Sequence, residues 1–109
     1  MDCRFIPNPH WDPELRPKNG LDAEVSQAVL GAESVGEFLQ RYMDLFESVA
    51  KGYLREGKKY ITLAIGCTGG KHRSVAVAEE LAKRINIVKI DNEHAVSAHA
   101  IHRDLGRER

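Results

Sequence analysis

The stretch that decides the fold is Tyr60-Ile61-Thr62-Leu63-Ala64-Ile65, followed by Gly66-Cys67-Thr68-Gly69-Gly70-Lys71-His72-Arg73-Ser74 and then by Val75-Ala76-Val77-Ala78-Glu79-Glu80-Leu81-Ala82-Lys83-Arg84-Ile85. An unbroken apolar run, a glycine-rich turn and a helical pattern in that order predict strand, loop and helix. Such a unit gathers free backbone N–H groups and the positive end of a helix dipole at one point, where an anion can sit. Lys71, His72 and Arg73 add three cationic or titratable side chains there. The expected chemistry is phosphate binding.

Working outward, the run at 60–65 has the uniform apolarity of a central parallel strand covered on both faces. The helix after the loop places Val75, Ala78, Leu81, Ala82 and Ile85 on one stripe. Upstream, Ser34-Val35-Gly36-Glu37 has the form of a capping box. From there Val35, Phe38, Leu39, Tyr42, Leu45, Phe46, Val49 and Tyr53 recur at helical spacing. An amphipathic helix of about five turns is expected, stopped at Gly57. Leu21 to Leu30 suits a short helix ending at Gly31. Cys3-Arg4-Phe5-Ile6 reads as a short strand closed by Pro7-Asn8-Pro9, and His10 to Gly20 as a Pro-rich loop. Ile87 to Ile90 reads as a strand or linker, Asp91-Asn92-Glu93 as a turn, and Val96 to His102 as a last strand. Alternating strands and helices predict one domain over residues 1–109, a small three-layer α/β domain with a mostly parallel sheet.

At 109 residues the chain is long enough for one core only. Apolar residues make up 42% and charged residues 29%, values of a globular protein rather than a disordered one. Formal net charge is zero, so contact with nucleic acid must come from local clusters. No apolar run approaches the roughly 18 residues of a membrane span, and no basic-then-apolar export signal opens the chain. Cys3 and Cys67 show no repeated spacing, which points to a reduced, cytoplasmic protein. There is no His-Glu-x-x-His or Cys-x-x-Cys pattern. His99-x-x-His102 alone carries little weight, so neither a metal nor another cofactor is expected.

Two readings of the glycine loop follow from its residues. A Walker A loop needs a glycine five positions before Gly-Lys and a hydroxyl after it. Here those positions hold Ile65 and His72, so nucleotide hydrolysis at this loop is not expected. The second reading is a cysteine-dependent phosphatase, because Cys67-x5-Arg73 resembles the signature of protein tyrosine phosphatases. A helix N-terminus with Lys71 and Arg73 would favour the thiolate, and Asp12 is a candidate acid.

A longer resemblance spans three separated blocks: Asn8-Pro9-His10-Trp11-Asp12-Pro13-Glu14-Leu15-Arg16-Pro17, Ala64 to Ala76, and His102-Arg103-Asp104-Leu105. Together they resemble the C-terminal domain of the RapZ family. Those are bacterial RNase adapter proteins, also called nucleotide-binding proteins, whose N-terminal half carries the Walker motifs. The resemblance implies a non-enzymatic sensor that binds glucosamine-6-phosphate and, in some members, a regulatory RNA, and that works as an oligomer. It implies phosphate contacts from Cys67, Thr68, Gly69, Gly70, His72, Arg73 and Ser74, with His10 closing the pocket. Lys71, Arg103, Arg107 and Arg109 are the candidate RNA contacts, and a protein partner is a further expectation. The departures are the absent Walker half and the altered link at 86–95.

Each of these residues also has a plainer role open to it. Arg73 pairs with phosphate or with Glu79 or Glu80, and His72 donates to phosphate or lies solvated on the surface. Lys71 serves phosphate or RNA. Cys67 is a nucleophile or a small loop residue, and Trp11 stacks on a sugar or plugs the core. The tail bases form an RNA surface or an ordinary chain end.

Overall fold

In a computed structural model, residues 1–90 and 94–105 are described. A short 3-10 turn at Pro9–Trp11 is followed by helices α1 (Ala23–Leu30), α2 (Val35–Arg55) and α3 (Arg73–Ile87), then by strands β1 (Lys89–Ile90) and β2 (His94–Ala95). β1 and β2 pair antiparallel with Lys89 opposite Ala95 and Ile90 opposite His94. The expected three-layer domain with a mostly parallel sheet is therefore not what forms. The described chain is mostly helical, and its one sheet has two antiparallel strands.

The glycine stops form as read. Gly31 caps α1. At the end of α2, Gly57 takes φ +75, its N–H reaches Leu54 O at 3.1 Å, and Lys58 N–H reaches Tyr53 O at 3.0 Å. Those are the two bonds of a Schellman cap, which asks for a left-handed residue at Gly57. The start of α2 differs from expectation. Ser34 is left-handed (φ 67) and its side chain caps nothing, while Glu37 pairs with Arg41 one turn on. The Ser34–Glu37 capping box does not form. α2 buries Val35, Leu39, Met43, Phe46 and Ala50, whereas Leu45, Val49 and Tyr53 stay exposed. Its covered stripe is narrower than the apolar pattern suggested.

Residues 60–65 are extended, yet they make no ladder. They are tied to the N-terminus by the Met1 amino group, which donates to Ala64 O at 2.6 Å, and by an isolated parallel bridge between Asp2 and Gly66 just beyond the run. Burial alternates along the run, with Leu63, Ile65 and Cys67 packed on the core, while Thr62 and Ala64 are exposed and Tyr60 is 91% exposed. This overturns the central strand covered on both faces. An apolar run shows that a segment favours burial, but not that a second layer exists to bury it. Cys3–Ile6 likewise forms a turn, with Ile6 N–H on Cys3 O at 3.1 Å, rather than a strand. Val96 to His102 is extended with the same alternation. Ala98 is gripped on both sides by the Asn86 side chain, its N–H donating to Oδ1 at 2.8 Å and its O accepting from Nδ2 at 2.7 Å. The expected turn at 91–93 and the bases Arg107 and Arg109 lie outside the described residues.

The core joins α1, α2 and α3 through Val25, Val29, Leu39, Phe46, Leu81 and Ile85, with Cys3, Ile6 and Ile90 closing it. No described helix is long and apolar enough to cross a membrane.

Candidate functional site

α3 begins where the glycine turn ends, and Gly69 (φ +81) and Gly70 (φ +65) are both left-handed. Glycine is the residue that adopts this conformation without strain, and the turn it allows aims backbone N–H groups inward. The atom in that cradle is the Cys67 sulfur. Sγ accepts the Ser74 N–H at 3.3 Å and donates to Ser74 Oγ at 3.2 Å. Burial opposes ionisation of this thiol. The Ser74 hydroxyl, the Ser74 and Gly70 N–H groups and the nearby Arg73 charge outweigh it, so its pKa lies below the ordinary value.

Lys71, His72 and Arg73, directly after the glycines, reach behind the turn and tie down the N-terminal segment. Lys71 Nζ and His72 Nε2 both reach Arg16 O, at 3.1 and 3.3 Å. Arg73 is only 4% exposed. Its Nη1 donates to Arg4 O at 3.2 Å and to Ile6 O at 3.0 Å, and its Nε is buried without a partner. Neither Glu79 nor Glu80 pairs with it; they take His102 and Arg84 instead. His72 is buried as well, so the solvated reading of that residue does not apply.

Gly20 completes this junction. Its N–H donates to Lys71 O at 2.9 Å, and a Cβ there would lie 2.5 Å from both Ala76 N and His72 O. The Asn19-Gly20 pair was legible as a turn. That the glycine also lets the loop touch the first turn of α3 was not.

The third block arrives from the far end of the chain. His102 Nε2 bonds Glu79 Oε1 at 2.7 Å, and the Asp104 side chain lies 3.1 Å from where a Cβ on Gly70 would be. Arg103 pairs with Asp104 at 3.0 Å. Between the two extended segments runs a groove of about 1100 Å³. Its floor includes Phe46, Val75, Ala78, Leu81 and Ile85, and its polar end is lined by Asp2, Arg4, Thr68, Ser74, His102 and Asp104. Arg4 clamps Asp2 through both carboxylate oxygens, and that hydrogen bonding holds the Asp2 carboxyl down at about 2.

His10 is not part of this lining. It sits in the 3-10 turn capped by Asn8, linked toward the loop through Arg16, whose Nε donates to His10 O at 2.6 Å. Trp11 is 76% exposed and meets His10 edge-on with ring centres 5.6 Å apart. It plugs nothing. Among the candidate site residues, the structure thus gathers Cys67, Thr68, Gly70, Ser74 and Arg103 around the groove's polar end. It places Lys71, His72 and Arg73 behind the loop and leaves His10 apart. Asp2, Arg4, His102 and Asp104 are the residues lining the polar end which were not among the candidate site residues. His102 and Asp104 carried a signal, through their place in the third block.

Residues 1–106 match the family model described as the RapZ C-terminal domain. A nucleotide-binding protein of Saccharopolyspora erythraea is 57% identical over 108 residues, covering 99% of this chain and 35% of that protein. One from Paenarthrobacter aurescens is 59% identical over 107 residues, covering 98% of this chain and 33% of the relative. One from Mycobacterium avium is 55% identical over 108 residues, covering 99% and 36%. The chain spans about a third of the length of the curated relatives it matches. By these matches, the chain belongs to the RapZ C-terminal domain family.

Proposed function

We propose that this domain is a non-catalytic sensor of a phosphorylated amino sugar, with glucosamine-6-phosphate as the fitting ligand. The observation that carries the reading is the meeting of the 67–74 turn with Asp104 at the polar end of the groove. A phosphate at the start of α3 gains the helix dipole and the loop N–H groups. The carboxylate beside Gly70 suits the ammonium and hydroxyls of an amino sugar, and Arg4 and Arg103 stand at the same end. Because Arg73 and His72 are occupied by carbonyls, the grip on phosphate falls to backbone N–H groups, Thr68 and Ser74.

The test is thermal denaturation with glucosamine-6-phosphate, glucose-6-phosphate and glucosamine. A ligand at a hundred times its Kd stabilises the folded state by about 2.7 kcal/mol. The amino sugar phosphate should raise the melting temperature most. Thr68→Glu, which adds negative charge at an exposed loop position, should abolish the rise without unfolding the protein. Asp104→Asn should narrow the gap between the amino sugar phosphate and glucose-6-phosphate. Equal curves with and without all three compounds would reject the reading.

The relatives' name, nucleotide-binding protein, is proposed to describe the part of those proteins that lies outside this chain's span, since the glycine loop lacks the Walker hydroxyl. An RNA partner is proposed to contact Arg103; Arg107 and Arg109, the other tail candidates, lie outside the described residues. Its affinity should fall steeply with salt. Lys71, held on Arg16 O, contributes least. Oligomerisation is proposed to use the exposed Leu45 and Val49 of α2. The lowered Cys67 pKa favours the phosphatase alternative, but Arg73 does not face the loop's mouth, and Asp12 is spent on the Glu14 N–H. Turnover of an aryl phosphate that is lost in Cys67→Ser would establish that alternative.

A further inference from the structure

The Asp2–Gly66 bridge fixes a register. Gly66 N–H donates to Met1 O at 2.8 Å and Cys3 N–H donates to Gly66 O at 2.7 Å, which makes the next opposed pair Cys3 and Cys67. Opposed residues of a parallel pair point to the same face. Asp2 and Gly66 are exposed, so Cys3 and Cys67 turn together toward the helices. Cys3 is 0% exposed within the apolar core, and Cys67 packs against that core. Neighbouring strands lie roughly 4.7–4.9 Å apart, inside the Cα separation of about 4.4–6.8 Å that a disulfide spans.

The two thiols differ in kind. Cys67 lines the groove and is reachable by a small oxidant, and its sulfur sits on the N–H groups at the start of α3. Cys3 is enclosed, and burial, then the proximity of Cys67, pushes its thiol up to about 11. One is placed to react first and the other to resolve.

We propose that Cys3 and Cys67 are a modification site, a dithiol pair that a peroxide converts to an intramolecular disulfide. The Cys67 thiolate attacks a peroxide oxygen and the O–O bond breaks. The products are a sulfenic acid and hydroxide, which takes up the proton released by the thiol to become water. The Cys3 sulfur then attacks the Cys67 sulfur, the S–O bond breaks, and the hydroxyl leaves as water with the Cys3 proton. The two thiols lose two electrons and hydrogen peroxide is reduced to two waters. In the disulfide the Cys67 sulfur turns from Ser74 toward Cys3, which releases the Ser74 N–H at the start of α3. Oxidation thereby changes the donors of the very turn proposed to hold phosphate, although formation of the bond does not depend on that proposal.

The test treats the reduced native chain with stoichiometric hydrogen peroxide at pH 7, then alkylates it and reads intact and peptide masses. The expected result is a monomer 2 Da lighter, resistant to alkylation, with a linked peptide joining Cys3 to Cys67. Closing so long a loop should also raise the melting temperature by about 5 °C or more, reversed by dithiothreitol. In Cys3→Ala the reaction should stop at a Cys67 sulfenic acid that dimedone traps. The proposal is overturned if wild-type Cys67 is trapped by dimedone as fully as in Cys3→Ala. It is equally overturned if oxidation yields chiefly a disulfide-linked dimer or a sulfinic acid without the internal link.

Discussion

Residues 72–77 and residues 60–65 flank the same turn and are held in opposite ways. From His72 to Val77 every residue is buried, and the side chains of His72 and Arg73 reach back to backbone carbonyls of residues 4, 6 and 16. From Tyr60 to Ile65 no N–H makes a backbone hydrogen bond among the described residues, and one face of the run is open. The difference separates two jobs. The start of α3 is braced from behind by residues distant in sequence, so the glycine turn presents its N–H groups from a fixed base. The extended run is half-covered and leaves the groove open beside it.

That contrast can be broken most severely at Arg73. Arg73→Ala removes two charge-assisted bonds and strands the carbonyls of Arg4 and Ile6, so chemical denaturation should report a loss of about 3–4 kcal/mol. Arg73→Lys should restore only part, since an ammonium lacks the planar fork. Gly20→Ala comes next. Its Cβ meets backbone rather than a movable side chain, and an overpacking cost of about 2–3 kcal/mol is expected in the same assay.

A smaller effect lies in pH. Folded Cys3 holds its proton up to about 11, above the ordinary 9.0. The stability this confers is fully present below pH 9 and is lost as pH rises from 9 to 11, by about 2 kcal/mol. The difference in stability between wild type and Cys3→Ala should shrink or reverse over that window and stay level below it. At the bottom of the scale, Tyr60→Ser and Ile101→Thr should shift stability by less than about 0.5 kcal/mol, because 91% and 81% of these residues already face solvent. A large loss at either would mean that the open face is covered after all.

Much of the helical content was legible. The period of Val35, Leu39 and Phe46 and the stops at Gly31 and Gly57 are local signals, each decided within one or two turns. The sheet was not legible. Tyr60-Ile61-Thr62-Leu63-Ala64-Ile65 carries the apolarity of a strand covered twice, yet whether a second layer exists depends on the rest of the chain. At the candidate site the glycine turn was legible, and the direction of its charged side chains was not. Lys71, His72 and Arg73 stand at the end of the glycine turn, but charge in a sequence does not name its acceptor, and the Arg73 acceptors lie 69 and 67 residues away. Ser34 shows the same limit on a small scale: its type suits a cap, and its left-handed backbone prevents one.

The central claim is that the braced turn, together with Asp104, receives the phosphorylated amino sugar. Backbone amide resonances followed through a titration with glucosamine-6-phosphate test it most directly. Saturable shifts should concentrate at residues 67–75 and 102–104, with His10 and Trp11 unmoved, and Thr68→Glu should erase them. No saturable shift, or shifts gathered at 10–14 with the turn silent, would contradict the claim.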